Sequence, residues 1–223
     1  MAIVVHGGSG SPYAWRVQLA LEVKEVGYEL RTLSFSERQH KAPGFLALNP
    51  RGKVPVLEHD GYVLTESIAI LQYLDAAFPE PPLYGRSPAE RGRVAEAVAS
   101  VQAYLEPLAP RIYRPIFWST GPVDPEQLEA PAAELHDELR RVEARVAAEG
   151  WLANGSLSAA DLALYPLLQL LIRAATRPQA ARLVLGLTPL GERYPGLAGW
   201  CARVEALPNF GRTWPSHWRD APS

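Results

Sequence analysis

The chain has 223 residues, of which 48% are hydrophobic and 21% are charged. This composition is typical of a globular protein with one large or two small domains. The 22 basic residues are nearly balanced by 24 acidic ones, which argues against nucleic acid or an anionic membrane as a partner. No apolar run reaches the roughly 18 residues that a membrane-spanning helix needs.

The cysteine content and the N-terminus predict the compartment. Cys201 is the single cysteine, so a disulfide within the chain is excluded. The first residues lack the basic start and the sustained apolar run of a signal peptide. These features predict a cytoplasmic protein. The five histidines show no metal-ligand spacing with one another or with Cys201, so no metal site is predicted.

Residues 1–80 alternate between strand and helix patterns in the order strand, helix, strand, helix, hairpin, helix. The predicted ranges are 3–5, 13–26, 28–34, 42–48, 54–58, 62–64 and 67–78. This order is that of a thioredoxin-like α/β domain. Right-handed crossover geometry would bring the loop at 9–13 close to Glu66 and Ser67.

The second half of the chain is helical by the same criteria. Prolines within 79–82 mark a candidate linker, because a proline cluster cannot continue a helix. The helices predicted beyond it are 89–109, 124–149, 159–175 and 194–206. Ser158 and Asp161 form a Ser-x-x-acid capping box at the start of the third. We therefore expect a first domain at 1–80 and an all-α domain at 88–223.

Two motifs in the first domain point to a small charged ligand. A turn at 49–53 leads into a strand that begins near Pro55, where proline is tolerated since it donates no ladder hydrogen bond. Glu66 and Ser67 then open a helix, whose N-terminal N–H groups attract a carboxylate. The Thr65-Glu66-Ser67 triplet alone is typical of plain helix capping. Joined to the strand at this spacing, it favours ligand binding.

Together these segments resemble the glutathione-binding half of the soluble glutathione transferases, and the match covers the whole chain. It implies a thioredoxin-like α/β domain followed by an all-α domain, with glutathione as co-substrate. In that family the bond between Val54 and Pro55 would be cis, and the backbone of Val54 would pair with the cysteinyl part of glutathione. Glu66 and Ser67 would hold its γ-glutamyl end.

Two lysines are candidates for the other end of the tripeptide. Lys41 aligns with a lysine that tau-class proteins aim at the glycyl carboxylate, and Lys53 and His40 are near enough in sequence to do the same. A single lysine in a polar loop is more often just solvated, so both interpretations stay open.

The loop after the first strand contains the candidate thiol-activating group. Its segment 11–17 resembles the Ser-Pro-aromatic-x-x-Arg-Val pattern of tau-class enzymes and the Ser-x-x-x-Trp-Arg-Val pattern of zeta-class ones. Aligned on Arg16, the family's activating serine falls on Ser11, which would donate a hydrogen bond to the thiolate. Ser9 and Tyr13 are the alternatives, as is a plain turn with an N-cap.

An aromatic and arginine-rich cluster in the helical half is the candidate site for the second substrate. Its members are Tyr104, Arg111, Tyr113, Arg114, Phe117 and Trp118, and Tyr13 is a further candidate. Aromatic faces suit apolar electrophiles and arginine suits an anionic group. Core packing with surface arginines is an equally good interpretation for each residue singly.

The resemblance implies a homodimeric glutathione transferase that transfers the thiolate to a small electrophile. A zeta-like glutathione-dependent isomerase is the second enzymatic possibility, although the chain has Ser11 and Tyr13 where zeta-class sequences have cysteine. A non-catalytic binding or assembly module of the same fold is the alternative from a different class.

Overall fold

The computed structural model describes residues 2–219, and the chain forms two compact units. The first unit contains the residues up to Leu83 together with the chain end from Ala206, and the second contains the residues between them. The sequence-based division assigned the chain end to the helical domain. In the structure, residues 206–219 belong with the first unit instead.

The first unit is built on a four-stranded mixed sheet of order β2-β1-β3-β4. Its strands are β1 (Ile3–Gly7), β2 (Glu29–Thr32), β3 (Val56–His59) and β4 (Tyr62–Thr65). Its first helices are α1 (Pro12–Val23), α2 (Pro43–Leu48) and α3 (Ser67–Ala77). β1 and β2 are parallel because α1 crosses between them, whereas β3 pairs antiparallel with β1 and with β4. The predicted thioredoxin-like order is confirmed.

Helix α1 is buried on nearly all sides, which explains why its apolar residues show only imperfect helical spacing. It packs against β1, against α3 and against the helix at 210–213 near the chain end. Trp15, Leu19 and Leu21 are all almost fully buried. A helix enclosed in this way has no single apolar stripe.

The end of α1 fastens the proline-rich segment to the first unit. The Nζ atom of Lys24 donates to Asp75 Oδ1 at 2.9 Å, to the carbonyl of Phe78 at 2.6 Å and to that of Pro81 at 2.8 Å. Asp75 Oδ1 also accepts from the backbone N–H of Leu83 at 2.7 Å. One buried ammonium thus holds the end of α3 and the segment predicted as a linker.

The remaining elements are helical. Apart from short 3-10 helices at Gln39–Lys41 and Pro178–Ala180, they are α4 (Pro88–Ser100), a π-helical turn (Val101–Leu105), α5 (Glu106–Trp118), α6 (Glu126–Glu149), α7 (Ala159–Ala175), α8 (Leu190–Arg193), α9 (Pro195–Glu205), α10 (Phe210–Thr213) and α11 (Ser216–Arg219). None of the helices within residues 2–219 is both long and apolar enough to cross a membrane.

The prediction of a helix ending at 109 is wrong. Helical structure continues through Pro110 and Pro115 to Trp118. Ile112 and Ile116 lie one turn apart and are fully buried. Burial of this stripe outweighs the loss of backbone hydrogen bonds at the two prolines.

The capping box predicted at the start of α7 is present. The backbone N–H of Ser158 donates to Asp161 Oδ2 at 2.8 Å. Asp161 Oδ1 also accepts from the N–H of Leu152 at 3.0 Å and from Trp200 Nε1 at 2.8 Å. Burial raises the pKa of Asp161, and these donors counteract the rise. The box is a structural junction of the second unit.

Candidate active site

The loop between β1 and α1 is a tight turn that presents two serines. The N–H of Ser11 donates to the carbonyl of Gly8 at 3.0 Å, and Gly10 has a φ of 77°. Glycine is the residue suited to this third turn position, because the backbone there is left-handed. Ser9 lies exposed at the second position of the turn.

Ser11 is the N-cap of α1. Its Oγ accepts from the backbone N–H of Ala14 at 3.4 Å, and its side chain is half-buried. Accepting a bond uses a lone pair of the oxygen, so the hydroxyl hydrogen can still be donated to a ligand. The plain-turn interpretation and the catalytic one are therefore compatible for this serine.

Arg16 brings the start of α1 to the start of α3. It is fully buried, and its Nη1 donates to Ser67 Oγ at 3.3 Å. Its guanidinium carbon also lies 4.9 Å from the centre of the Tyr13 ring, so the face of Tyr13 is used in packing. The sequence alone predicts no role for Arg16. The signal that could have identified Arg16 is its charge, because it lies between the apolar residues Trp15 and Val17 in a buried helix.

The start of α3 is suited to a ligand with both a positive and a negative group. Glu66 precedes the helix with φ 67° and ψ 110°, and within the described part of the chain its side chain makes no capping bond. Glu66 is exposed, whereas Ser67 is 7% exposed. The helix N-terminus and the buried charge of Arg16 favour a carboxylate. The Glu66 side chain offers a carboxylate of its own to an ammonium group.

The turn before β3 is held by the side chain of Asn49. Its Nδ2 donates to the carbonyl of Lys53 at 2.7 Å, and its Oδ1 accepts from the N–H of Arg51 at 3.1 Å. The peptide bond between Val54 and Pro55 is cis, as the resemblance implies. Pro55 is buried and Val54 is half-buried. The turn thereby delivers the chain into β3.

Lys41 and Lys53 are both exposed and both lie at this turn. The Nζ of Lys41 donates to the carbonyl of Arg51 at 3.2 Å. The carbonyl of Lys53 is the one bonded to Asn49. Two positive charges therefore border the segment that leads to Pro55.

A cavity of about 180 Å³ lies between the loop that joins β1 to α1, here called the opening loop (residues 8–11), and the chain end, within the first unit. Ser9 and Ser11 both line it, together with Trp15 and with residues 212–216. Whole pockets for drug-sized ligands are about 300–1,000 Å³. A cavity this small suits one end of a ligand, and both Ser9 and Ser11 are among the residues that line it.

Comparison with known proteins assigns both halves of the chain to one family. Residues 1–76 match the glutathione S-transferase N-terminal domain and residues 125–203 match the C-terminal domain. A probable maleylacetoacetate isomerase of Vibrio cholerae is 30% identical over 232 residues, covering 99% of each chain. The chain belongs to the glutathione S-transferase family. Glutathione S-transferase 4 of Zea mays is 33% identical over 202 residues, covering 88% of each chain.

A solved structure of the family shows the same fold. The glutathione S-transferase of the Antarctic clam Laternula elliptica superposes with a TM-score of 0.82 at 26% identity, covering 100% of this chain and 96% of that one. The chain is thus an enzyme of the glutathione S-transferase family, and glutathione is its co-substrate.

The predicted second-substrate residues of this transferase lie in the second unit, apart from Tyr13. Tyr104 is 57% exposed and Trp118 is 74% exposed. The Arg114 guanidinium lies 5.4 Å from the Trp118 ring centre. Arg111 makes a two-pronged ion pair with Glu134 at 2.5 and 2.8 Å. The charge of Arg111 is already compensated, so Arg114 is the better candidate for an anionic substrate group.

Cys201 does not resemble the reactive cysteine of a thiol-dependent transferase. It is the only cysteine of the chain and it is buried. Burial, with a smaller contribution from Glu205, raises the pKa of its thiol to about 12. A thiol at that pKa is almost entirely protonated near neutral pH.

Proposed function

We propose that this transferase holds glutathione in its first unit and that the Ser11 hydroxyl stabilises the thiolate for attack on an electrophilic small molecule. The observation that carries the proposal is the charge arrangement at the start of α3. Buried Arg16 donates a hydrogen bond to Ser67, and exposed Glu66 is the residue directly before Ser67. This pairing matches the carboxylate and the ammonium of a γ-glutamyl group.

Ser11 needs to contribute only a small free energy to stabilise the thiolate over the thiol. A free thiol has a pKa near 8.5, so about a few per cent is thiolate at pH 7. Lowering that pKa by one unit takes about 1.4 kcal/mol. One hydroxyl donor together with the N-terminus of α1 supplies about one to two units. Ser11 donates a hydrogen bond to the glutathione sulfur and forms no covalent bond with it.

The turn before β3 supplies the remaining proposed contacts with glutathione. The backbone of Val54, next to Pro55, pairs with the cysteinyl part of glutathione. Lys41 and Lys53 face the glycyl carboxylate. The support for the lysine roles is that both are exposed at this turn.

Recognition of the electrophile is assigned to the helical second unit, which ends before Ala206, and glutathione binding is assigned to the first unit. Tyr104 and Trp118 expose aromatic surface there, and Arg114 adds a positive charge. Such groups suit an apolar electrophile with an anionic substituent.

We also propose that the protein is a homodimer. We place it in the cytoplasm, with detoxification as its cellular role. Tyr62 is 51% exposed and Val63 is 37% exposed on β4, which is an edge strand of the sheet. Exposed apolar residues on an edge strand need a cover. Light scattering on the purified protein gives the mass. A monomer at all concentrations would exclude the dimer.

A second candidate is glutathione-dependent isomerisation. The full-length Vibrio cholerae relative, named a probable maleylacetoacetate isomerase, favours it. Purified protein should be given maleylacetoacetate with glutathione, next to a generic aryl halide. Faster turnover of the diketo acid than of the halide would make the isomerase the better assignment.

The Ser11 role is tested by pH–rate profiles of aryl halide conjugation for Ser11→Ala and for Ser11→Thr. In Ser11→Ala the apparent pKa in kcat/KM for the aryl halide, measured with glutathione bound, should rise by about one unit. The reason is that the thiolate loses its hydrogen-bond donor. Ser11→Thr keeps a hydroxyl and should retain most of the low pKa. An unchanged profile in Ser11→Ala would refute the assignment, and Ser9 and Tyr13 would be examined next.

A further inference from the structure

The chain end from Ala206, here called the terminal segment (residues 206–219), is anchored on α1. The indole Nε1 of Trp15 donates to Thr213 Oγ1 at 2.8 Å in a buried position. The Trp15 ring also meets Trp214 and Trp218 edge-on at 5.4 and 5.5 Å. These contacts place the residues after Thr213 directly beside the opening loop.

His217 of the terminal segment reaches Ser9 of the opening loop. Ser9 Oγ lies 2.7 Å from His217 Nδ1, and Trp218 Nε1 donates to His217 Nε2 at 3.0 Å. An indole N–H can only donate, so Nε2 must be the unprotonated nitrogen of a neutral ring. Nδ1 then bears the hydrogen and donates it to Ser9.

Gly10 makes this approach possible. A Cβ at position 10 would lie 2.9 Å from His217 Cε1 and 3.1 Å from Trp218 Nε1. A side chain at this position would force the His217 ring to shift. The turn glycine therefore serves the backbone conformation and also the contact with His217.

The bond from His217 determines what Ser9 can do. Since Ser9 Oγ accepts from Nδ1–H, its own hydrogen is available for donation in another direction. Accepting one hydrogen bond makes a hydroxyl a stronger donor through mutual polarisation. Ser9 and Ser11 both line the 180 Å³ cavity, so both serines border one space.

We propose that His217 is a positioning residue that holds Ser9 as a second hydrogen-bond donor to the glutathione thiolate. The inference rests on the proposed function, because it requires a thiolate at the opening loop. His217 acts through Ser9 and touches neither substrate. The catalytic centre would then be complete only with the terminal segment in place.

The test is the pKa of bound glutathione, followed by ultraviolet difference spectra over a pH series. His217→Phe keeps a ring against Trp218 and removes the donor to Ser9, so the bound thiol pKa should rise by about half a unit, a roughly threefold loss of thiolate at a pH below that pKa. His217→Asn places an amide N–H where Nδ1 lies and should restore most of the wild-type value. Ser9→Ala should equal His217→Phe.

The double variant Ser9→Ala with His217→Phe should show no further rise beyond Ser9→Ala, because both changes remove one donor. A bound thiol pKa unchanged in His217→Phe would overturn the inference, as would an additive rise in the double variant. A purely structural role would lower the melting temperature without moving the thiol pKa.

Ser11→Ala in the same titration separates the two proposals. If it raises the bound thiol pKa while His217→Phe does not, the inference about His217 fails and the proposed function stands. If wild-type bound glutathione has the pKa of free glutathione, both fail.

Discussion

The backbone at Glu66 has an unusual conformation for a residue with a side chain. Glu66 has a φ of 67°, where a residue with a side chain pays about 1–3 kcal/mol in strain. Capping does not explain the choice of residue, since within the described chain the Glu66 side chain makes no capping bond. Strained positions of this kind cluster at ligand sites, and here the residue directly precedes Ser67, which accepts a hydrogen bond from buried Arg16.

Two substitutions at position 66 separate strain from binding. Glu66→Ala removes the carboxylate and keeps the strain, whereas Glu66→Gly removes both. Both variants should bind glutathione about tenfold or more weakly, as expected for losing a charged hydrogen bond. Glu66→Gly should be the more stable by about 1 kcal/mol in urea unfolding. Equal stabilities would mean that the backbone there is not strained, and unchanged affinity would remove Glu66 from the site.

Buried charges hold elements of the first unit together. The Lys24 side chain is fully buried against Asp75 and bonds the carbonyls that follow α3. Such a pair is destabilising when one member is removed, because the other charge stays buried without compensation.

Lys24→Met should therefore lower the free energy of unfolding by about 3 kcal/mol or more, measured by urea titration. Arg93→Met is the matched control, since Arg93 pairs with Glu96 on the surface of α4. It should change stability by less than about 1 kcal/mol. Similar losses in both variants would show that burial of the Lys24 pair has no special weight.

Elements with local signals could be predicted from the sequence, and those set by distant contacts could not. The range 159–175 predicted for α7 agrees with the structure, because its capping box lies within the adjacent residues. Helix α5 was predicted to end too early, because its prolines are local signals while the burial of Ile112 and Ile116 depends on the whole second unit.

The same distinction applies to the candidate site. The cis bond at Pro55 was predicted from the family resemblance of a short motif, and Glu66 and Ser67 stay predicted ligand residues on another short motif. Arg16 and His217 were not assigned, because their contacts are with residues far away in sequence. Ser9 and His217 are 208 residues apart, a separation that no local pattern reports.

At the scale of the whole molecule, the two ends of the chain build one unit. Trp15 and Thr213, 198 residues apart, share a buried hydrogen bond. Thr213 Oγ1 in turn donates to the carbonyl of Phe210 at 2.9 Å. The terminal segment is thus attached to α1 through Thr213 and to the opening loop through His217.

Replacing Thr213 tests this attachment. Thr213→Val keeps the shape and leaves the indole N–H of Trp15 buried without its acceptor, which should cost about 1–3 kcal/mol. Thr213→Ser retains the hydroxyl and should lose less. Hydrogen exchange should locate the loss in α1 and in the terminal segment. Full protection of α1 in Thr213→Val would contradict the attachment.

The most direct measurement for the whole account is the distance between the glutathione sulfur and Ser11 Oγ in a crystal of the complex. We expect the γ-glutamyl group at Glu66 and Ser67 and the sulfur within about 3.5 Å of Ser11 Oγ, a hydrogen-bonding separation for sulfur. A sulfur directed away from both serines of the opening loop, or a tripeptide bound elsewhere than the start of α3, would contradict the account.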